Sequence, residues 1–154
     1  MRRRDILLIT TVIVVVVVAA LAIFIALRAY AGPASLTGHG WTLTHLVHDG
    51  REQPLSQSHA VTLRFQPRHH TISGSGGCNS YGASYTILGS SLHFGEMWST
   101  LIACLDTAAM DQESAYLQAL GAVESYRLNG DTLTLEGGSG QAVITFRPDG
   151  AMTG

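Results

Sequence analysis

Lysine is absent from this chain of 154 residues, and all nine of its cations are arginine. That is a trait of composition and carries no mechanism. Cysteine occurs only twice, and none precedes Cys78, which removes an N-terminal lipid-attachment site. Charged residues make up 13% of the chain, a low share for a soluble protein, and most of the deficit lies in one N-terminal stretch. Without residues 1–28 the remainder holds ten carboxylates and five arginines, a net charge of −5. An acidic body of this kind is ill suited to nucleic acid, which requires clustered cations against phosphate. No Gly-x-Ser-x-Gly elbow and no paired-carboxylate motif is present, so neither a serine hydrolase nor a glycosidase is indicated. Gly74-Ser75-Gly76-Gly77 is rich in glycine but lacks the Gly-Lys-Ser/Thr ending of a phosphate loop, and no helix follows it.

The seven histidines do not make a metal site by pattern. His45 and His48 are three apart, His69 and His70 are adjacent, and His93 falls on a strand. Adjacent strand residues face opposite sides, and no Cys/His spacing matches a zinc site. No metal and no other cofactor is therefore expected.

The N-terminus has a different character. Residues 1–5 form a short basic start with Arg2, Arg3 and Arg4. Ile6 to Leu27 then carry no charge, and only Thr10 and Thr11 interrupt their apolar run. As a helix this stretch is ~33 Å long, enough to cross a hydrocarbon core of about 30 Å. A transmembrane anchor is expected over 6–28, with the arginines on the cytoplasmic side and the rest of the chain outside. Arg28 and Tyr30 then sit at the outer interface. The rival reading is a cleaved signal peptide, for which Ala29-Tyr30-Ala31 supplies a small-x-small site and which leaves a secreted or periplasmic domain. The long apolar run and the position of Arg28 favour the anchor. Residues 29–39 read as a short linker of small residues.

A domain over 40–148 follows, with a tail at 149–154. Trp41 and Leu43 alternate with Thr42 and Thr44, and Val61, Leu63 and Phe65 alternate with Thr62 and Arg64. This is the period of half-buried strands. Asp49 to Ser58 reads as a loop. Further strands are expected at Thr71–Gly74, Ser84–Leu88, Leu92–Phe94, Ser125–Leu128, Thr132–Leu135 and Ala142–Phe146. Gly89-Ser90-Ser91 and Asn129-Gly130 supply hairpin turns. Asp106 or Thr107 can cap a helix reaching Leu120, with Tyr116, Leu117 and Leu120 toward the sheet and Gly121 as its stop. The fold class expected is α+β and mainly antiparallel: a curved sheet or partial barrel of about seven or eight short strands with one packed helix.

Two segments stand out. Gly76-Gly77-Cys78-Asn79-Ser80-Tyr81-Gly82-Ala83-Ser84-Tyr85 is too glycine-rich for a regular strand and too apolar for a solvated linker. Ser99-Thr100-Leu101-Ile102-Ala103-Cys104 holds the second cysteine. Together Gly77, Cys78, Asn79, Tyr81, Tyr85, Ser99, Thr100 and Cys104 resemble the motif of the META domain, the family that includes the bacterial heat-shock protein HslJ. The likeness runs from Trp41-Thr42-Leu43 to Val143-Ile144-Thr145-Phe146. It implies a compact, exported, non-enzymatic β module with one helix, and it hints at envelope stress and drug tolerance.

Cys78 and Cys104 are expected to meet. In an oxidising compartment they can form a disulfide, whereas two buried thiols side by side remain the alternative. Function is expected to be non-covalent: an extracytoplasmic, membrane-anchored module that docks an envelope protein or an apolar component. Trp98, Tyr81 and Tyr85 are the candidates to line a groove, or else core residues. A carrier of a small apolar ligand in a barrel-like cavity is the second class of function.

Overall fold

The computed structural model describes residues 13–21, 35–102 and 104–149. The chain divides into two units, Met1–Ala34 and Ser35–Gly154. In the first, residues 13–21 form helix α1 with exposed side chains. Among the described residues no helix is long and apolar enough to cross a membrane. Most of the span expected over 6–28 lies outside the described residues, as do the basic start, the linker up to residue 34 and the tail beyond residue 149.

The second unit is built from β1 (Trp41–His48), β2 (Arg51–Glu52), β3 (Thr62–Gln66), β4 (Thr71–Ser75), β5 (Ser80–Leu88), β6 (Ser91–Ser99), α2 (Thr107–Gly121), β7 (Ser125–Asn129), β8 (Thr132–Gly137) and β9 (Ala142–Pro148). Strands β3 to β9 follow in sequence order, every pairing is antiparallel, and β1 joins β3 on one side and β9 on the other. Eight strands therefore close into a barrel, with β2 added as a short ninth strand at the end of β1. The expected partial barrel is thus a complete one. Closure depends on Trp41↔Pro148 through Val47↔Val143, a pairing between the two ends of the domain. No local pattern announces such a contact.

Two strands are longer than their sequence suggests. β5 starts at Ser80 and includes the glycine-containing run to Tyr85, and β6 continues past Phe94 to Ser99. The register shifts between Ala83↔Met97 and Tyr85↔Phe94, so Gly95 and Glu96 lie opposite the single residue Ser84. A side chain at Gly95 would meet the Ser84 hydroxyl. This is a β-bulge, which bends the strand and strengthens its twist, and it looks like a strand end in the sequence.

Inward residues follow the two-residue period. Trp41, Leu46, Leu63, Ile72, Tyr81, Leu92, Leu133, Leu135, Ile144 and Phe146 are fully buried. From α2, Tyr116, Ala119 and Leu120 join them, while Leu117 is half-buried. Asp106 caps α2, its carboxylate accepting from the N–H groups of Ala108 (3.0 Å) and Ala109 (3.3 Å). Gly121 is the last residue of α2, and Ala122 forms the C-cap through its N–H to Ala119 O.

The antiparallel order sorts the connections between two mouths. Gly40, Asp149 and the turns at 67–70, 89–90 and 130–131 lie at one mouth. The loops at 53–61, 76–79, 100–106 and 138–141 lie at the other, where α2 packs against β1, β6 and β9.

Candidate functional site

The loop between β4 and β5 sits against α2. Gly76 is needed there, because a Cβ on it would fall 2.6 Å from Glu113 Oε2. Gly77 has φ +111°, a conformation that favours glycine. The Glu113 carboxylate is buried and accepts three N–H groups: Cys78 N at 3.1 Å, Asn79 N at 2.5 Å and Asn79 Nδ2 at 2.7 Å. Burying a carboxylate costs stability unless its lone pairs are filled, and here the loop fills them.

Asn79 passes the connection on. Its Oδ1 accepts from Thr100 Oγ1 (2.9 Å) and from Ile102 N (2.7 Å). Thr100 also donates its N–H to Ser80 O at 2.9 Å, and Ser99 Oγ donates to Thr100 O at 3.0 Å. The structure joins Cys78 to Cys104 by a disulfide with a Cα–Cα distance of 6.0 Å. Glu113, Asn79 and the bridge therefore fix the 100–104 segment to both the barrel and the helix.

Tyr81 and Tyr116 form a second buried connection. Tyr81 donates its hydroxyl proton to Thr62 O at 2.9 Å, so the 2.6 Å contact between the two phenols is a donation from Tyr116. Burial drives both phenols well above their ordinary range. For Tyr81 the bond from Tyr116 offsets part of that rise, whereas for Tyr116 the proximity of Tyr81 adds to it. Neutral and fully enclosed phenols of this kind serve as structural hydrogen-bonding groups.

The three aromatic candidates separate. Tyr81 and Tyr85 point into the barrel, Tyr85 edge-on to Phe65 at 5.2 Å. Trp98 points outward and is 58% exposed, its ring lying where a side chain on Gly82 would project. The motif residues Gly77, Cys78, Asn79, Ser99, Thr100 and Cys104 thus meet around the loop after β4, with Tyr81 following on β5, whereas Tyr85 lies apart from them against Phe65.

The adjoining surface is apolar. Leu101 is 97% exposed, Ile102 64%, and Leu105 is fully exposed. Between this loop and α2 runs an open groove of about 440 Å³, lined by Ser99, Leu101, Ile102, Met110, Ser114 and Leu117 among others. A more polar cleft of about 320 Å³ lies between β1 and the 55–61 loop.

One cluster imitates a catalytic triad. His59 Nδ1 lies 3.0 Å from Ser58 Oγ, 3.4 Å from Ser56 Oγ and 3.3 Å from Asp106 Oδ2. A triad needs the hydroxyl on one ring nitrogen and the carboxylate on the other. All three contacts here fall on the same nitrogen, so the group ties the 56–59 loop to the cap of α2. Gln112 strengthens that tie, accepting from Ser56 N at 2.6 Å and donating to His59 O at 3.0 Å. Among the described residues no group of three or more His, Cys, Asp or Glu side chains is placed to hold a metal ion.

The sequence pattern singles out neither Gln112 nor Glu113 as a functional position. Their signal was two adjacent long polar residues in the middle of a helix whose inner face is otherwise Ala, Tyr and Leu.

The META domain family model matches residues 34–150, three quarters of the chain and the whole barrel. The chain belongs to the META domain family. Among curated proteins none matches it. Three solved structures share the architecture of this META domain. A protein from Burkholderia xenovorans, solved by NMR, is 22% identical with a TM-score of 0.62, covering 77% of this chain and 91% of its own. A second NMR structure is 18% identical with a TM-score of 0.53, covering 71% and 87%. A DUF4847 family protein from Bacteroides vulgatus is 12% identical with a TM-score of 0.52, covering 73% and 93%. At these identities the likeness is one of fold.

Proposed function

We propose that this META domain protein is anchored in the cell membrane by residues 6–28, holds its barrel outside the cytoplasm, and acts there by binding without covalent chemistry. The observation that carries the binding reading is the loop at Leu101, Ile102 and Leu105. It exposes its apolar side chains although Asn79, Thr100 and the Cys78–Cys104 bridge hold it in place. Exposed apolar surface on a rigid frame is the usual mark of a recognition site. The uncharged run from Ile6 to Leu27 after three arginines supports the anchor, and a disulfide suits an oxidising compartment. Confinement to the membrane face raises the domain's local concentration toward envelope partners. A role in envelope stress fits that placement.

The carrier reading has less support. Trp41, Tyr81, Tyr116 and Phe146 fill the barrel interior, and the grooves described above lie on its surface.

Crosslinking and pull-down of the intact protein from the envelope, beside a variant lacking residues 1–28, test the proposal. Partners captured through the anchored form alone are expected. Turnover of a substrate by the purified domain would overturn it.

A further inference from the structure

The groove between the 99–102 loop and α2 has mainly apolar walls. Its walls are Leu101, Ile102, Met110 and Leu117, and Trp98 stands exposed beside it on β6. The stretch from Glu96 to Gly121, which supplies one wall, the loop and the helix, contains four carboxylates and no arginine. Glu113 is consumed by Cys78 and Asn79, and Asp106 by the helix cap and His59. Glu96 and Asp111 remain, both exposed and neither in an ion pair among the described residues. Glu96 lies two residues before Trp98 on the outward side of β6, and Asp111 follows Met110 on α2. An apolar groove whose flanking elements carry exposed, unpaired carboxylates and no arginine suits a partner with apolar anchors and positive charge.

Two kinds of partner meet that description in general, a peptide and a lipid surface. The charge favours the peptide. A net charge of −5 over residues 29–154 opposes approach to anionic lipid. The groove is bounded by a helix on one side, a shape that takes an extended or helical segment.

We infer that this groove binds a short apolar peptide segment bearing arginine or lysine, with Leu101, Ile102, Met110 and Leu117 receiving its apolar side chains and Glu96 and Asp111 its cations. The inference rests on the binding reading above and names the partner's chemistry. Trp98 is a built-in reporter, since the chain's other tryptophan, Trp41, is fully buried.

The test uses the full chain in nanodiscs of zwitterionic lipid, with empty discs as the blank. The probes are dye-labelled peptides of alternating leucine and arginine, of leucine and glutamate, and of leucine and serine. The arginine peptide should bind saturably, shift Trp98 emission to the blue, and weaken as salt rises. Leu101→Ser with Met110→Ser should weaken it at least about tenfold. Glu96→Gln with Asp111→Asn should weaken it severalfold and flatten the salt dependence. The glutamate peptide should not bind. Equal binding of all three peptides, indifference to these surface substitutions, or no binding at all would overturn the inference. Quenching of Trp98 by brominated lipid would assign the patch to the bilayer and overturn it as well. If the arginine peptide fails but envelope crosslinks still vanish in Leu101→Ser, only the partner's chemistry falls. If those crosslinks are also indifferent to Leu101→Ser, the binding reading falls with it.

Discussion

Glu113 accepts both the backbone and the side-chain N–H of Asn79, at 2.5 and 2.7 Å, and so locks the loop after β4 to the middle of α2. The same asparagine then holds Thr100 and Ile102, which makes the Glu113–Asn79 pair the junction between helix, barrel and the exposed apolar loop.

Replacing Glu113 by glutamine turns one acceptor into a donor that faces other donors. Glu113→Gln should lower stability by about 2 kcal/mol in denaturant unfolding of the oxidised protein. It should also speed amide exchange at Cys78, Asn79 and Ile102 ahead of the barrel strands. Uniform exchange across the domain would show that the junction holds nothing in particular.

Two glycines distinguish rigid from yielding neighbours. A Cβ on Gly76 meets the Glu113 carboxylate, which three N–H groups hold in place, whereas a Cβ on Gly82 meets the Trp98 ring, which is exposed and free to swing away. Gly76→Ala should cost about 2–3 kcal/mol. Gly82→Ala should cost under about 1 kcal/mol and change Trp98 emission. Thermal melts with fluorescence read both.

The disulfide closes a separation of 26 residues. Replacing both Cys78 and Cys104 by serine should cost about 3–4 kcal/mol by the loop-entropy estimate. Non-reducing mass spectrometry of freshly isolated material should find the bridged peptide. Two free thiols there would place the protein in a reducing compartment, against the exported location.

Tyr81 and Tyr116 give an alkaline signature. Their folded-state pKa values are raised above the unfolded ones, so the stability they contribute is present below about pH 10 and declines as pH rises beyond it. Phenolate absorbance should show two of the five tyrosines resisting ionisation until the barrel unfolds. Tyr81→Phe with Tyr116→Phe should flatten the decline.

Much of the barrel was legible in the sequence. Alternation at Trp41–Leu43, Val61–Phe65 and Thr132–Leu135 marks inward faces, Asn129-Gly130 marks a hairpin, and Asp106 marks the start of α2. These are local signals, each set within a few residues. Closure through β1 and β9 is not local, and the bulge at Gly95–Glu96 disguised the second half of β6 as a connector. The site was legible only as a pair of cysteine segments. Trp98 was grouped with Tyr81 and Tyr85, yet the pleat turns it outward, and the partner of Asn79 lies 34 residues away on a helix. Sequence spacing carries no sign of that contact.

The central claim is that the motif builds a frame for an apolar recognition surface at one mouth of the barrel. A photo-crosslinking side chain placed at Leu101 in the full chain, in its native envelope, tests it directly. The control is the same side chain at Leu88, an equally apolar residue exposed beside the turn at the opposite mouth. The account predicts discrete adducts from position 101 and none from position 88. Matching adducts from both positions, or none from position 101, would contradict it.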